Sequence, residues 1–267
     1  MREAVLKIPR LAVEDVLDRL LPIVPGGVRE RRAGQHLELR MRGPEVPELA
    51  EIESVVGRWP HKLAEHEVAD DWRERRLAEY EPDVIGGRLV VRPDWAPAPE
   101  PGLIDIVLCD SAAFGGGTHP TTRTCLELLL DLPPGGSFAD LGCGTGVLAI
   151  VAARLGWKPV AAVDLQRAAV DATRTNATLN EVAIDVAVMD LSGQPPPAAD
   201  GFAANVPAVL HAVIAGAWGD HGPGAGLISG FDPAEAGDVL DAYAGRGLRE
   251  RRRVDSGGWV VAELERG

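Results

Sequence analysis

The densest group of chemistry-bearing residues is the run Ser137-Phe-Ala-Asp-Leu-Gly-Cys-Gly-Thr-Gly146, which leads from an apolar strand pattern into a helix pattern starting near Val147. Glycines at 142, 144 and 146 permit a tight turn and a close approach to a ligand, and the helix start behind them offers free amide donors. This is a cradle of the nucleotide-binding kind. It is not the dinucleotide fingerprint, because Val147 stands where G-x-G-x-x-G needs its last glycine, and the Walker lysine pattern is absent. Asp140, on the strand before the glycines, suits a cationic amino-acid moiety better than a pyrophosphate. Asp164 ends the next apolar strand, where an acid can accept both hydroxyls of a ribose. The competing readings are a glycine turn with structural duties and a solvated loop aspartate, and finding both elements in the right order narrows them. Asp190, after the following strand, is placed either to reach an adenine amine or to cap a turn.

Two further segments carry polar groups toward the same place. Ala113-Phe-Gly-Gly-Gly-Thr-His-Pro-Thr-Thr122 joins a glycine loop to a helix with Pro120 in its first turn, so Phe114 and its neighbours sit on a segment able to close over a ligand. Asn205 ends the strand pattern at 201–205, the ligand edge of an open α/β sheet, where its side-chain carbonyl can face an incoming amine. His119 is either a proton acceptor of suitable pKa or a cap at the helix start.

The elements that position these residues follow from periodicity. Residues 1–68 read as βαββαβ, with strands at 4–9, 28–32, 37–42 and 63–68 and helices at 11–21 and 48–59, the plan of a ferredoxin-like α+β module. Residues 69–101 read as a linker, polar and amphipathic at 70–80 and proline-rich at 93–101. From 102 to 267 strands and helices alternate: strands at 104–109, 137–141, 160–164, 184–189, 201–205 and 226–229, helices at 120–131, 147–155, 167–180 and 208–218. A terminal hairpin follows at 248–263. Alternation of this kind predicts an α/β fold with a doubly wound parallel sheet.

Composition sets the surroundings. A hydrophobic content of 46% in 267 residues supports a sizeable core. Cys109, Cys125 and Cys143 form neither a disulfide framework nor a zinc pattern, so no metal is expected. No secretory leader or membrane span is read, which points to a cytoplasmic protein. The net charge of −13 is uneven: residues 1–60 carry ten basic and ten acidic side chains, residues 101–245 five and sixteen. Such a body repels nucleic-acid phosphates and favours a basic partner.

The segments Phe-Gly-Gly-Gly-Thr-His-Pro-Thr-Thr, Asp-Leu-Gly-Cys-Gly-Thr-Gly-Val-Leu-Ala-Ile, Ala-Asn-Val and Leu-Ile-Ser-Gly at 227–230 resemble the signatures of the ribosomal protein L11 methyltransferase (PrmA) family, over nearly the whole chain. The resemblance implies a Rossmann-like class I methyltransferase domain behind a small ferredoxin-like domain, with S-adenosylmethionine as cofactor. It implies cofactor contacts from Thr122, Gly142, Asp164 and Asn205, to which the reading of the residues adds Phe114, Asp140, Gly144, Gly146 and Asp190. It further implies a basic ribosomal protein substrate, L11, free or in the ribosome, captured by the N-terminal domain. A monomer without direct nucleic-acid readout and without membrane attachment is expected. Asn205 is assigned an orienting role in catalysis, with His119 the remaining proton acceptor. The alternatives are lysine methylation of another protein, such as an electron-transfer flavoprotein subunit, and a non-catalytic S-adenosylmethionine-binding protein. Three departures stand out: a glycine at 116 where the family has Thr, Gln166 where it has a second acid, and Val206-Pro207 where it has Ile-Leu.

Overall fold

The computed structural model describes residues 2–9, 12–24, 27–33, 36–43, 45–57, 59–67, 77, 80–109, 113–117, 119–218 and 222–267. The chain divides into two compact units, Met1–Tyr80 and Glu81–Gly267.

The first unit runs β1 (Arg2–Pro9), α1 (Val13–Leu20), β2 (Arg29–Ala33), β3 (His36–Gly43), α2 (Leu49–Val56) and β4 (Lys62–Glu67). Its sheet has the order β2-β3-β1-β4 with antiparallel neighbours, the split-βαβ plan read from the sequence. Strand alternation explains the core: Ala4, Leu6 and Ile8 face Met41, Leu39 and Leu37 across the β1–β3 pair. Val16 and Leu20 of α1 and Ile52 and Val56 of α2 close over that face.

The second unit opens with β5 (Val84–Ile85), β6 (Leu89–Pro93) and β7 (Ile104–Leu108), which form a three-stranded sheet of their own. Two sequence expectations change here. Residues 84–85 and 89–93, read as linker, are strands joined by a turn, while the amphipathic stretch at 70–80 lies largely outside the described residues. The strand at 104–108 belongs to the small sheet, not to the doubly wound one. The cause is packing: Leu89, Ile106 and Leu108 are buried in the cluster that holds Leu126 and Leu129, and Arg92 grips Asp105 through two bonds of 2.7 and 2.8 Å.

The main body follows as α3 (Pro120–Leu129), β8 (Phe138–Leu141), α4 (Val147–Leu155), β9 (Val160–Asp164), α5 (Arg167–Leu179), β10 (Asp185–Val188), β11 (Gly201–Asn205), α6 (Ala208–Ala217), β12 (Ala225–Phe231), α7 (Ala236–Ala244), β13 (Leu248–Ser256) and β14 (Trp259–Arg266). The seven-stranded sheet has the order β10-β9-β8-β11-β12-β14-β13, and only β14 runs against the rest. This is the expected Rossmann-like α/β architecture of class I methyltransferases. Apolar residues of α3, α4 and α5 pack on one face, those of α6 and α7 on the other. The sequence reading missed α7, although Asp232-Pro-Ala-Glu235 is a capping-box pattern. Asp232 Oδ1 accepts from the Glu235 amide at 3.1 Å, and Glu235 Oε2 accepts from the Asp232 amide at 3.0 Å.

Strand order reverses between β8 and β11. The residues leaving the carboxyl ends of those two strands are the glycine turn and Asn205. An open α/β sheet places its ligand crevice at such a switch point.

Candidate active site

The glycine turn is built from positive backbone angles: φ is +78° at Gly142, +55° at Gly144 and +78° at Gly146. Each has a further reason to lack a side chain. A Cβ on Gly142 would lie 2.4 Å from Val206 Cγ1, one on Gly144 2.2 Å from the Phe114 carbonyl oxygen, and one on Gly146 2.5 Å from Thr173 Cγ2. The turn therefore touches the residue after Asn205 and the loop before α3 at once. Two bonds strap that loop down, Thr145 N to the Phe114 carbonyl (2.9 Å) and Thr145 Oγ1 to the Gly115 carbonyl (2.8 Å). Asn176, fully buried on α5, accepts from the Cys109 amide and donates to the Thr145 carbonyl, joining the small sheet to the turn.

Asp164 ends β9 half-buried, with Oδ2 accepting from the Gly144 amide (3.0 Å) and Oδ1 from the Gln166 amide (2.9 Å). A carboxylate has about four acceptor sites, so two remain for outside donors. Asp140 sits elsewhere than expected: it is 1% exposed, beneath the turn, with Oδ2 accepting from the Ala149 amide at 3.0 Å. Burial pushes its carboxyl up to about 7, against the pull of that bond, and the charge of Asp164 adds to the rise. Its carboxyl is therefore not presented at the surface of the turn. Asp190 is exposed on the same edge, where its Oδ1 takes the amide and hydroxyl of Ser192. Those bonds hold it below the ordinary carboxylate range, the cap reading of the sequence.

The second arm of the crevice is a hydrogen-bond chain. His119 caps α3, its Nδ1 accepting from the Thr121 amide at 3.3 Å. That nitrogen therefore carries a lone pair, and the Thr121 hydroxyl, 2.7 Å away, donates to it. The same hydroxyl oxygen then accepts from Asn205 Nδ2 at 3.1 Å. Through this chain the Asn205 amide has its nitrogen turned inward, leaving Oδ1 as the open acceptor. His119 has spent the lone pair a base would use. Thr122, also buried, has a hydroxyl with no hydrogen-bond partner among the described residues. Phe114 is 56% exposed, and its ring meets that of His119 at 5.0 Å.

Behind Asn205 the backbone is pinned. The Val206 amide donates to the Ser229 carbonyl at 3.0 Å, and buried His211 lies with Nε2 3.2 Å from the Val206 carbonyl and 3.0 Å from that of Ser229. Its Nδ1 meets the Tyr243 hydroxyl at 2.9 Å. Burial lowers this histidine to about 4, so it stays neutral. Gly230, at φ +95°, lets β12 approach so closely that a Cβ there would sit 2.2 Å from the Val206 carbonyl oxygen.

The departures from the family pattern acquire local meanings. Of Gly115, Gly116 and Gly117, only Gly116 has an ordinary φ and open space around its Cβ direction. Gln166 contributes only its backbone amide to Asp164. Pro207 precedes the first turn of α6, so its missing N–H costs no helical bond. Thr121, Thr145, Asn176 and His211 are bonded to the residues of the crevice, and the sequence reading did not single them out.

The chain matches the family model described as ribosomal protein L11 methyltransferase (PrmA) over residues 46–266. A ribosomal protein L11 methyltransferase of Chromohalobacter salexigens is 35% identical over 223 residues, 78% of this chain and 74% of the relative. Those of Gloeobacter violaceus and Shewanella denitrificans are 36% and 39% identical over 71% and 57% of this chain. These two matches span 61% and 52% of the relatives' own lengths. The crystal structure of a ribosomal protein L11 methylase from Lactobacillus delbrueckii subsp. bulgaricus shares the fold, with a TM-score of 0.62 and 24% identity over 70% of this chain and 99% of that one.

Proposed function

Because the chain belongs to the ribosomal protein L11 methyltransferase family, we propose that it transfers methyl groups from S-adenosylmethionine to lysine side-chain or N-terminal amines of ribosomal protein L11. It does so in the cytoplasm, as a monomer, and without reading nucleic acid. Among the described residues no helix is long and apolar enough to cross a membrane. The first unit is assigned to capture of the substrate and the second to chemistry.

The residues present fit the cofactor. The turn at 142–146 is a tight positive-φ bend before the start of α4, the open lone pairs of Asp164 suit ribose hydroxyls, and the buried Asp140 carboxyl suits a cationic moiety above it. Thr122 supplies an orphaned hydroxyl at the same edge. Bound S-adenosylmethionine supplies an electrophilic methyl carbon attached to a sulfonium, already a good leaving group.

The observation that carries the proposal is the chain Asn205–Thr121–His119, which occupies Asn205 Nδ2 and leaves Oδ1 free to accept. An amide oxygen accepts an N–H of a neutral amine and so fixes the direction of its lone pair, but it cannot take a proton. A lysine of ordinary pKa, about 10.4, must therefore release its proton to water before attack. Positioning and exclusion of water then supply the acceleration.

The test is incubation with labelled S-adenosylmethionine and undermethylated L11, free and in ribosomes. Label is expected in L11. Asn205→Ala is expected to lower kcat about 100-fold through misplacement of the amine, a larger change than in cofactor Kd. Thr121→Val should lose part of that activity and Thr121→Ser should keep it. Full transfer by Asn205→Ala removes the orienting role, and label in a different protein reassigns the substrate.

A further inference from the structure

A groove of about 340 Å³ separates the first turns of α6 and α7. Ala208, Val209, Ala212 and Val239 line its apolar side, Glu235 and Asp238 its acidic side. The α6 helix lies on the surface yet has no charged residue from 208 to 217, and it exposes Val209 at 78% and Val213 at 40%. A surface helix ordinarily turns a polar face outward. The outer side of α7 carries Asp238 and Asp241, neither of which forms an ion pair among the described residues. Both helices begin at the carboxyl edge of the sheet. Ala208 follows Asn205 by three residues, a chain path of at most about 11 Å, so the groove starts one short connection away from Asn205.

We propose that this groove seats the target-bearing segment of the protein substrate, a basic stretch whose apolar side chain covers Val209 and whose cations meet Glu235 and Asp238. The inference rests on the transferase reading above and adds the surface that delivers the amine. Apolar floor and acidic rim match the two halves of a lysine-rich segment, because a lysine lays its methylene stem on apolar surface and keeps its ammonium at a polar edge. Glu235 is available for this, since only its Oε2 is bonded to the Asp232 amide. The field agrees: five basic against sixteen acidic residues between 101 and 245 attract a cationic segment and repel a phosphate backbone.

The experiment uses the full chain and L11 itself. Kd is measured with S-adenosylhomocysteine present, and KM and kcat by label transfer. Val209→Lys and Asp238→Lys are each expected to raise Kd and KM for L11 about tenfold, the loss of one interface contact of moderate strength. Neither should move cofactor Kd. Added salt should raise the wild-type KM more steeply than that of Asp238→Lys. Leu179→Lys, an exposed apolar position on α5, is the control and should change nothing. If wild type binds and methylates L11 while both groove variants keep its Kd and KM, the groove assignment is overturned and the transferase reading stands. If wild type neither binds nor methylates L11, the substrate assignment falls and takes the proposed occupant with it.

Discussion

Replacing Gly144 by Ala tests the glycine turn most directly. Its φ of +55° is left-handed, which costs a residue with a side chain about 1–2 kcal/mol. The added Cβ would also sit 2.2 Å from the Phe114 carbonyl oxygen, so a backbone group must move and not merely a rotamer. That carbonyl accepts the Thr145 amide at 2.9 Å, and breaking the bond costs about 1–3 kcal/mol if the amide is left without a partner. The two together predict a loss of about 2–5 kcal/mol, a large part of the stability of a typical domain. The Gly144 amide also holds Asp164, so cofactor affinity should fall more than tenfold at the same time. Gly116→Thr is the matched control: with ordinary φ and open space, it should stay within about 0.5 kcal/mol of wild type. Equilibrium denaturant unfolding at constant m-value gives both numbers, and calorimetry the cofactor Kd. A Gly144→Ala protein as stable as wild type, or a Gly116→Thr protein that loses more than 2 kcal/mol, would show that the turn does not carry the constraint described.

Two further predictions concern buried titratable groups. Asp140 has a folded pKa raised to about 7, so its contribution to stability is present at low pH and is lost as pH rises from 3.8 through 7. A cation bound above it reverses the preference. Cofactor affinity should therefore increase from pH 6 to 8 with proton release, measured by calorimetry in two buffers of different ionisation enthalpy, and Asp140→Asn should abolish the release. His211 has a folded pKa lowered to about 4, so the stability it contributes is present above 6.5 and is lost as pH falls toward 4. His211→Leu should cost about 2–5 kcal/mol at pH 7 by stranding the Tyr243 hydroxyl and the Val206 carbonyl, while the Ser229 carbonyl keeps the Val206 amide, and should flatten the acid limb of the unfolding curve.

What the sequence made legible was local. The turn at 142–146 and Asp164 are each specified within a few residues, by glycines that need positive φ and by a strand that ends in an acid. The alternating apolar pattern of residues 4–8 and 37–41 likewise carries the first sheet. What stayed hidden depends on partners far along the chain. Thr121 matters because it lies between His119 and Asn205, a contact across 84 positions. The strand at 104–108 resembles any buried strand, and only its pairing with 89–93 decides its sheet. Asp140 has the residue type for contact with a cation, but its position on a central strand buries it. The helix at 236–244 has a local signature in its capping box, Asp232 to Glu235.

The buried asparagines at the end of α5, Asn176 in its last turn and Asn180 at its C-cap, set where the second unit can be cut. Asn176 and Asn180 receive the amides of Cys109 and Val107, and Asn180 returns a bond to the Val107 carbonyl, so β7 is sewn to α5 from one side while β6 pairs with it on the other. A fragment starting at Gly102, directly after the proline-rich segment, would keep β7 but strip it of β6, exposing Ile106 and an unpaired strand edge. Such a fragment should aggregate, whereas one starting at Glu81 retains the whole small sheet. For anyone dissecting the protein, the working boundary lies some twenty residues before the prolines suggest.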